Sequence, residues 1–255
     1  MRVKLAVLGL LFALAPAFPA LAQQASNVTV INANYPKPGA AKQYEAARKK
    51  HMGWHKAQKD AWSWYVWEVV SGENTGAYVV GSFGHAWKDF DGRDAFEKAD
   101  TADVAATVGP TLNRSVLSYW VERADISQSP TTPGSTPAPR LSITTYLLRP
   151  DSVNDFVEAV KKVNEAIKKT NYAVSGPSRW YQLVNGGENP TFVLVGERAN
   201  WAAFQPNDKT LDVMMGEAYG KDEGAAIMAS LRKTFHTLHT AIYEYRPDLS
   251  YIAGK

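Results

Sequence analysis

Beyond its N-terminal leader the chain says the same thing twice, and a duplication constrains a fold more than any composition can. Trp67–Gly81 (WEVVSGENTGAYVVG) and Tyr181–Gly196 (YQLVNGGENPTFVLVG) each run strand, Gly-Glu-Asn turn, strand. Arg-Ala-Asp-Ile-Ser at 123–127 returns as Arg-Pro-Asp-Leu-Ser at 246–250. Between the copies, Ser127–Pro139 (SQSPTTPGSTPAP) is polar, Pro-rich and nearly uncharged, the composition of an extended linker. The chain therefore reads as a first half at 23–126, a linker at 127–139 and a second half at 140–255.

Residues 1–22 have the marks of a signal peptide. Arg2 and Lys4 precede the apolar run Leu5–Phe18, and Ala20-Leu21-Ala22 offers a small-x-small cleavage site. The reading expects export to the periplasm or outside the cell, with no membrane insertion, since no later segment nears the roughly 20 apolar residues of a span. Losing Arg2 and Lys4 lowers the formal net charge from +3 to +1. Such a near-neutral surface has no field for nucleic acid. The chain has no cysteine. That excludes disulfides, thiolate catalysis, zinc–thiolate and iron–sulfur sites, and covalent c-type haem. Stability must come from a core, for which eight Trp, twelve Tyr and nine Phe supply material.

Periodicity then orders the elements. In the first half, Val28–Asn34 alternates as a strand, and Ala40–Asp60 carries Tyr44, Ala47, His51 and Trp54 at helical spacing. Ala61–Val70 and Ala77–Phe83 are strands about the Gly72-Glu73-Asn74 turn. Helical residues follow between about Trp87 and Asn113, and Val116–Arg123 closes the half as a strand. The second half repeats this order: strand Leu141–Leu148, a helix to about Thr170 with Phe156, Val160, Val163 and Ile167 in a stripe, a hairpin of Arg179–Val184 with Thr191–Glu197, helices over Thr210–Thr234, and strand Leu238–Arg246. The fold class is α+β, with two fused ferredoxin-like βαββαβ halves. Strand residues of both parities are large and apolar (Trp62, Trp64, Val66 and Tyr65, Trp67, Val69), so both sheet faces need burial. Stacking the open faces of two such sheets around a shared core meets that need.

On this element order and duplication the chain resembles the dimeric α/β-barrel superfamily. That group includes antibiotic-biosynthesis-type and haem-degrading monooxygenases, chlorite dismutases and dye-decolourising peroxidases. The resemblance implies a pseudo-dimer in one polypeptide, hence a monomer, with a ligand cavity beside or inside the barrel. The haem-degrading members typically combine an Asn on the first strand, a Trp, and an axial His after strand three. Asn32 or Asn34 and His85 occupy similar positions here. No Trp lies on strand three, and Trp64 or Trp67 on strand two is the nearest substitute. Haem is the cofactor this resemblance allows.

Five further readings concern chemistry. Asn32 and Asn34 share one strand face opposite Ile31 and Ala33, and are expected to point into the barrel or toward its rim. The alternative is that they are solvated near a strand end. His85, in Gly81-Ser82-Phe83-Gly84-His85-Ala86-Trp87, can act as a ligand or general base, or simply pack at a helix start. Trp54, Trp62, Trp64 and Trp67, with Tyr65 among them, crowd into 14 residues and can line an aromatic or isoprenoid pocket or form a core and inter-sheet seam. His51 and His55 have metal-compatible i, i+4 spacing, but His-Met-Gly-Trp-His lacks the zinc-protease Glu, and no metal is assigned. His236 and His239 fall on opposite strand faces.

The reading is thus an exported barrel that binds a small apolar or aromatic molecule. Its chemistry is monooxygenase-like, cofactor-independent or haem-linked, with catalytic His85 and Asn34 beside ligand-binding Asn32, Trp64, Tyr65 and Trp67. The alternative is a non-catalytic envelope module. Since Asn32, Asn34 and His85 lack counterparts in the second copy, the site is expected in the first half, with the second as support.

Overall fold

A computed structural model describes residues 27–129 and 136–254. Residues 1–22, read above as a signal peptide, and positions 130–135 of the expected linker lie outside the described residues.

The first half contains β1 (Val28–Pro36), α1 (Ala41–Ala57), β2 (Tyr65–Ser71), β3 (Tyr78–His85), α2 (Trp87–Asp91), α3 (Asp94–Ala106) and β4 (Leu112–Glu122). The second contains β5 (Arg140–Leu148), α4 (Val153–Thr170), β6 (Ser178–Asn185), β7 (Thr191–Arg198), α5 (Leu211–Tyr219), α6 (Lys221–Thr234) and β8 (Phe235–Tyr245). Each half is βαββαβ with its second helical region in two pieces. Strand order within the halves is β4-β1-β3-β2 and β6-β7-β5-β8. Rather than two stacked sheets, the halves join edge to edge, β2 to β8 and β4 to β6, into a closed eight-stranded antiparallel barrel. Closure leaves no unpaired strand edge in the barrel.

Helices coat the outside. Tyr44 of α1 packs on Val66, Tyr78 and Val80. Phe156, Val157 and Val160 of α4 pack on Leu148, Trp180 and Phe192. Met214, Met215 and Ala218 of α5 and Ile227 and Met228 of α6 meet Ala166 of α4. Among the described residues, no helix is long and apolar enough to cross a membrane.

The repeated motifs sit at the two seams. Arg123 follows β4; its amide bonds the Trp180 carbonyl of β6 and its guanidinium reaches Gln182 and Asp125. Arg246 follows β8; its amide bonds the Val66 carbonyl of β2 and its guanidinium reaches Glu68, Glu45 and Asp248. The serines match as well. Ser127 Oγ accepts from the Trp180 amide at 2.8 Å and Ser250 Oγ from the Val66 amide at 2.9 Å. Ile126 and Leu249, the apolar residues of the two copies, are fully buried. The glycine turns touch the same seams. A Cβ on Gly72 would lie 2.7 Å from the Thr240 carbonyl of β8, and one on Gly186 would strike the Leu117 carbonyl of β4. Each copy of the repeat therefore clasps the other half.

Candidate ligand cavity in the barrel

Alternation decides which side chains enter the barrel. Ile31 and Ala33 of β1, Tyr65 and Trp67 of β2, Val79 and Phe83 of β3, Leu141, Ile143 and Thr145 of β5, Tyr181 of β6, Val193 and Val195 of β7, and Tyr243 of β8 line a cavity of about 510 Å³. That size suits a small organic ligand. The strands alternate in direction, so the starts of β1, β2, β5 and β6 meet the ends of β3, β4, β7 and β8 at one barrel end. Most of the cavity's polar residues lie toward that end, among them His85, Ser118, Arg179 and Glu197, with Trp62 and Trp120 beside them, while Thr145 lies farther in.

His85 ends β3 and is 8 % exposed. Its ring stacks on Trp62 with centroids 3.6 Å apart, and its Nε2 lies 2.7 Å from Ser82 Oγ. Burial is the main cause that lowers its pKa to about 4; the Asp89 charge pulls the other way, the Arg93 charge adds to the lowering, and Asp60 opposes it least. The imidazole is therefore neutral near pH 7. The other face of Trp62 carries Arg93, 4.0 Å from the ring centroid. Arg93 in turn pairs with Asp60 at 2.8 Å. Asp60 is fully enclosed and accepts from the Trp62 amide, Trp64 Nε1 and Arg93, with His55 Nδ1 2.9 Å away. Although burial opposes ionisation, these bonds hold its carboxyl far below the usual range. The mouth thus has a rigid wall of Asp60, Arg93, Trp62 and His85.

Across the mouth, Arg179 of β6 pairs with Glu197 of β7 at 2.5 Å. Deeper in, the buried indole N–H of Trp67 has no hydrogen-bond partner among the described residues. An unpaired buried donor is costly unless a ligand acceptor meets it. Burial also pushes the Tyr243 hydroxyl up to about 12, so it stays a phenol.

Among the residues singled out in the sequence, His85, Trp62, Tyr65 and Trp67 line this cavity. Asn32 and Asn34 do not. Because Ile31 and Ala33 face inward, both Asn face the helices. Asn32 Oδ1 accepts from Ser115. Asn34 is buried, donates to the Tyr44 hydroxyl under α1 and accepts from Ser115. Asn34 pairs with Tyr78 at the far end of β3 from His85, so catalytic Asn34 beside catalytic His85 is corrected on both face and distance. Trp64 is likewise on the outer face, packed with Tyr44 and Val66. The expectation of a first-half site is corrected too, since β5 to β8 supply half the wall and the Arg179–Glu197 pair. The sequence reading missed Arg179, Glu197, Tyr181 and Trp120. Their signal was parity: Arg179 and Tyr181 share a face of β6, but that face could be called inner only once barrel closure was known.

No protein-family model matches the chain, and no curated protein matches it. Solved structures do. An anthrone oxidase-like protein superposes with a TM-score of 0.56 at 13 % identity, over 90 % of this chain and 94 % of that one. A candidate monooxygenase from Lactobacillus acidophilus NCFM gives 0.52 at 10 % identity, over 90 % and 97 %. A mutant chlorite dismutase from Candidatus Nitrospira defluvii, in complex with cyanide, gives 0.51 at 10 % identity, over 88 % and 92 %. The chain has the dimeric α/β-barrel fold, with both halves in one polypeptide. An anthrone oxidase-like protein, a candidate monooxygenase and a chlorite dismutase share that fold, and fold alone does not assign the reaction.

Proposed function

We propose that this chain, acting after export, binds a small planar aromatic molecule in the barrel, with neutral His85 at the mouth as proton acceptor. The observation that carries the reading is the cavity itself. It offers aromatic walls, an unpaired Trp67 N–H suited to a ligand oxygen, and a base held neutral by burial. Removal of the methylene proton of an anthrone-type carbon acid would leave an electron-rich anion able to react with O2 without a cofactor. His85 would accept that proton at Nδ1, in the tautomer whose Nε2–H donates to Ser82 Oγ, while Trp62 holds its ring.

A haem reading has less support, because the donor set fits poorly. The His85 Nε2 is engaged by Ser82 and one ring face is covered by Trp62. Tyr243 is held as a phenol, whereas an axial tyrosine binds iron as phenolate.

Tryptophan-fluorescence titration with 2-naphthol tests the binding reading. Saturable quenching is expected, weakened at least tenfold in Trp67→Phe. Unsaturable quenching, equal in both proteins, refutes it. Oxygen uptake with anthrone tests the chemistry, with His85→Gln expected to abolish it while retaining 2-naphthol binding. An absent Soret shift on adding haem is expected, and a shift that His85→Ala removes would favour the haem reading instead. Gel filtration tests the expected monomer.

A further inference from the structure

We propose that His51 and His55 of α1 and Asp100 of α3 form a binding site for one divalent transition-metal ion of the zinc class, outside the barrel and separate from its cavity.

Three donor atoms converge there. The Nε2 atoms of His51 and His55 lie 3.1 Å apart, and each is 3.3 Å from Asp100 Oδ1. Zinc bonds to nitrogen and oxygen of about 2.0–2.1 Å in a tetrahedron place neighbouring ligand atoms about 3.3 Å apart. The triangle therefore already has the edge lengths of one tetrahedral face. The two His are spaced i, i+4, which stacks them on one side of α1. They are 2 % and 1 % exposed, so both rings are held by packing against Trp54 and, for His55, Trp64 and Tyr251.

The outer nitrogens specify the tautomers. His51 Nδ1 lies 2.7 Å from Asp103 Oδ2, and His55 Nδ1 lies 2.9 Å from Asp60 Oδ2. Each carboxylate wants a proton on the nitrogen facing it. That leaves both Nε2 atoms as lone-pair acceptors pointed at one another and at Asp100 Oδ1, a buried atom with no hydrogen-bond donor among the described residues. A proton between the two Nε2 atoms would satisfy one contact and leave Asp100 Oδ1 unpaired. A cation satisfies all three. Histidine ligands whose other nitrogen is fixed by a carboxylate are the usual second layer of a metal site, and here both His have it.

Charge and access agree. Asp60, Asp100 and Asp103 outnumber the guanidiniums of Arg48 and Arg93 around the cluster. The Asp100 side chain is 16 % exposed, which leaves a side for a water as fourth ligand. The ion would also serve the fold: α3 has no fully buried side chain, and coordination through Asp100 would brace it to α1. Through Asp60 the same brace reaches Arg93 and Trp62 at the cavity mouth.

The test is cobalt and zinc binding to the chelator-stripped full-length protein. Uptake of about one Co2+ is expected, with the intense visible bands of four-coordinate cobalt, displaced by Zn2+. Zinc should raise the thermal unfolding midpoint. The near-isosteric Asp100→Asn should lose at least tenfold in affinity and Asp103→Asn roughly 10–100-fold. His236→Ala with His239→Ala should bind as the parent does. A weak six-coordinate cobalt spectrum overturns the proposal, as does parent-like binding by both Asp variants. These variants keep side-chain volume, so the outcome does not depend on His51→Ala or His55→Ala folding.

Discussion

Trp62 and His85 stack face to face, ring centroids 3.6 Å apart and planes 18° from parallel. The contact joins the loop before β2 to the end of β3 and removes one face of the imidazole from water. Arg93 on the far side of Trp62 makes a second positive charge there unwelcome.

The pH consequence has a definite sign. The His85 pKa falls from 6.5 to about 4 on folding, chiefly through burial. Between those values the unfolded chain holds a proton that the native state does not, so stability is intact above pH 6.5 and drops as pH falls toward 4. Below about 4 this contribution no longer changes. An NMR titration of the His85 ring should show a midpoint near pH 4, and a midpoint near 6.5 would contradict the packing. His85→Gln should flatten the acid limb of a stability profile measured by urea unfolding.

The seam serines give a prediction in duplicate. Ser127 Oγ and Ser250 Oγ each accept from a β-strand amide of the opposite half, that of Trp180 or Val66. Replacing either with Ala orphans a shielded N–H, at a cost of about 1–3 kcal/mol. The two seams share no partners, so the double variant should equal the sum of the singles within about 0.5 kcal/mol. Chemical denaturation measures all three. A double variant far from additive would mean the seams open as one unit.

The hairpin glycines should be less forgiving. Gly72 and Gly186 both have φ of +93°, and an added Cβ would strike backbone of the neighbouring strand. Gly72→Ala and Gly186→Ala therefore combine left-handed backbone strain with a clash against β8 or β4. Each should cost about 2 kcal/mol or more, read as a lowered thermal midpoint. Gly39→Ala, also at positive φ but with open space around it, should cost less than either.

Much of the architecture was legible because period and punctuation are local. Strand alternation, the Phe156–Ile167 stripe of α4 and the Gly-Glu-Asn turns all lie within short windows, and the elements formed close to where those windows put them. What the repeat was for was not legible: Arg123 and Arg246 reach across to the other half, and no local window contains that partner. The face of β1 was misread for the same reason. Asn32 and Asn34 looked like inward polar groups because helices ordinarily cover apolar faces, yet α1 offers the Tyr44 hydroxyl and β4 offers Ser115 to satisfy them. Asp100 lies far along the chain from His51 and His55, so only α3 docking against α1 could join it to their i, i+4 pair.

A last prediction separates cavity from core with one kind of substitution. Val193 of β7 faces the barrel cavity, whereas Val160 of α4 is buried in the packed outer seam against β-strand aromatics. Enlarging a side chain in close-packed surroundings forces rotamers and backbone to shift, typically at about 1–3 kcal/mol. Val160→Phe should show that loss in urea unfolding. Val193→Phe has open space to fill, so it should change stability by less than about 1 kcal/mol and gain some buried apolar area. Its cost should appear in binding: the new ring occupies ligand volume, so saturable 2-naphthol quenching should weaken at least tenfold. If Val193→Phe destabilised as much as Val160→Phe and left quenching unchanged, the barrel interior would be solid core, and the mouth residues His85, Trp62, Arg179 and Glu197 would have no pocket to serve.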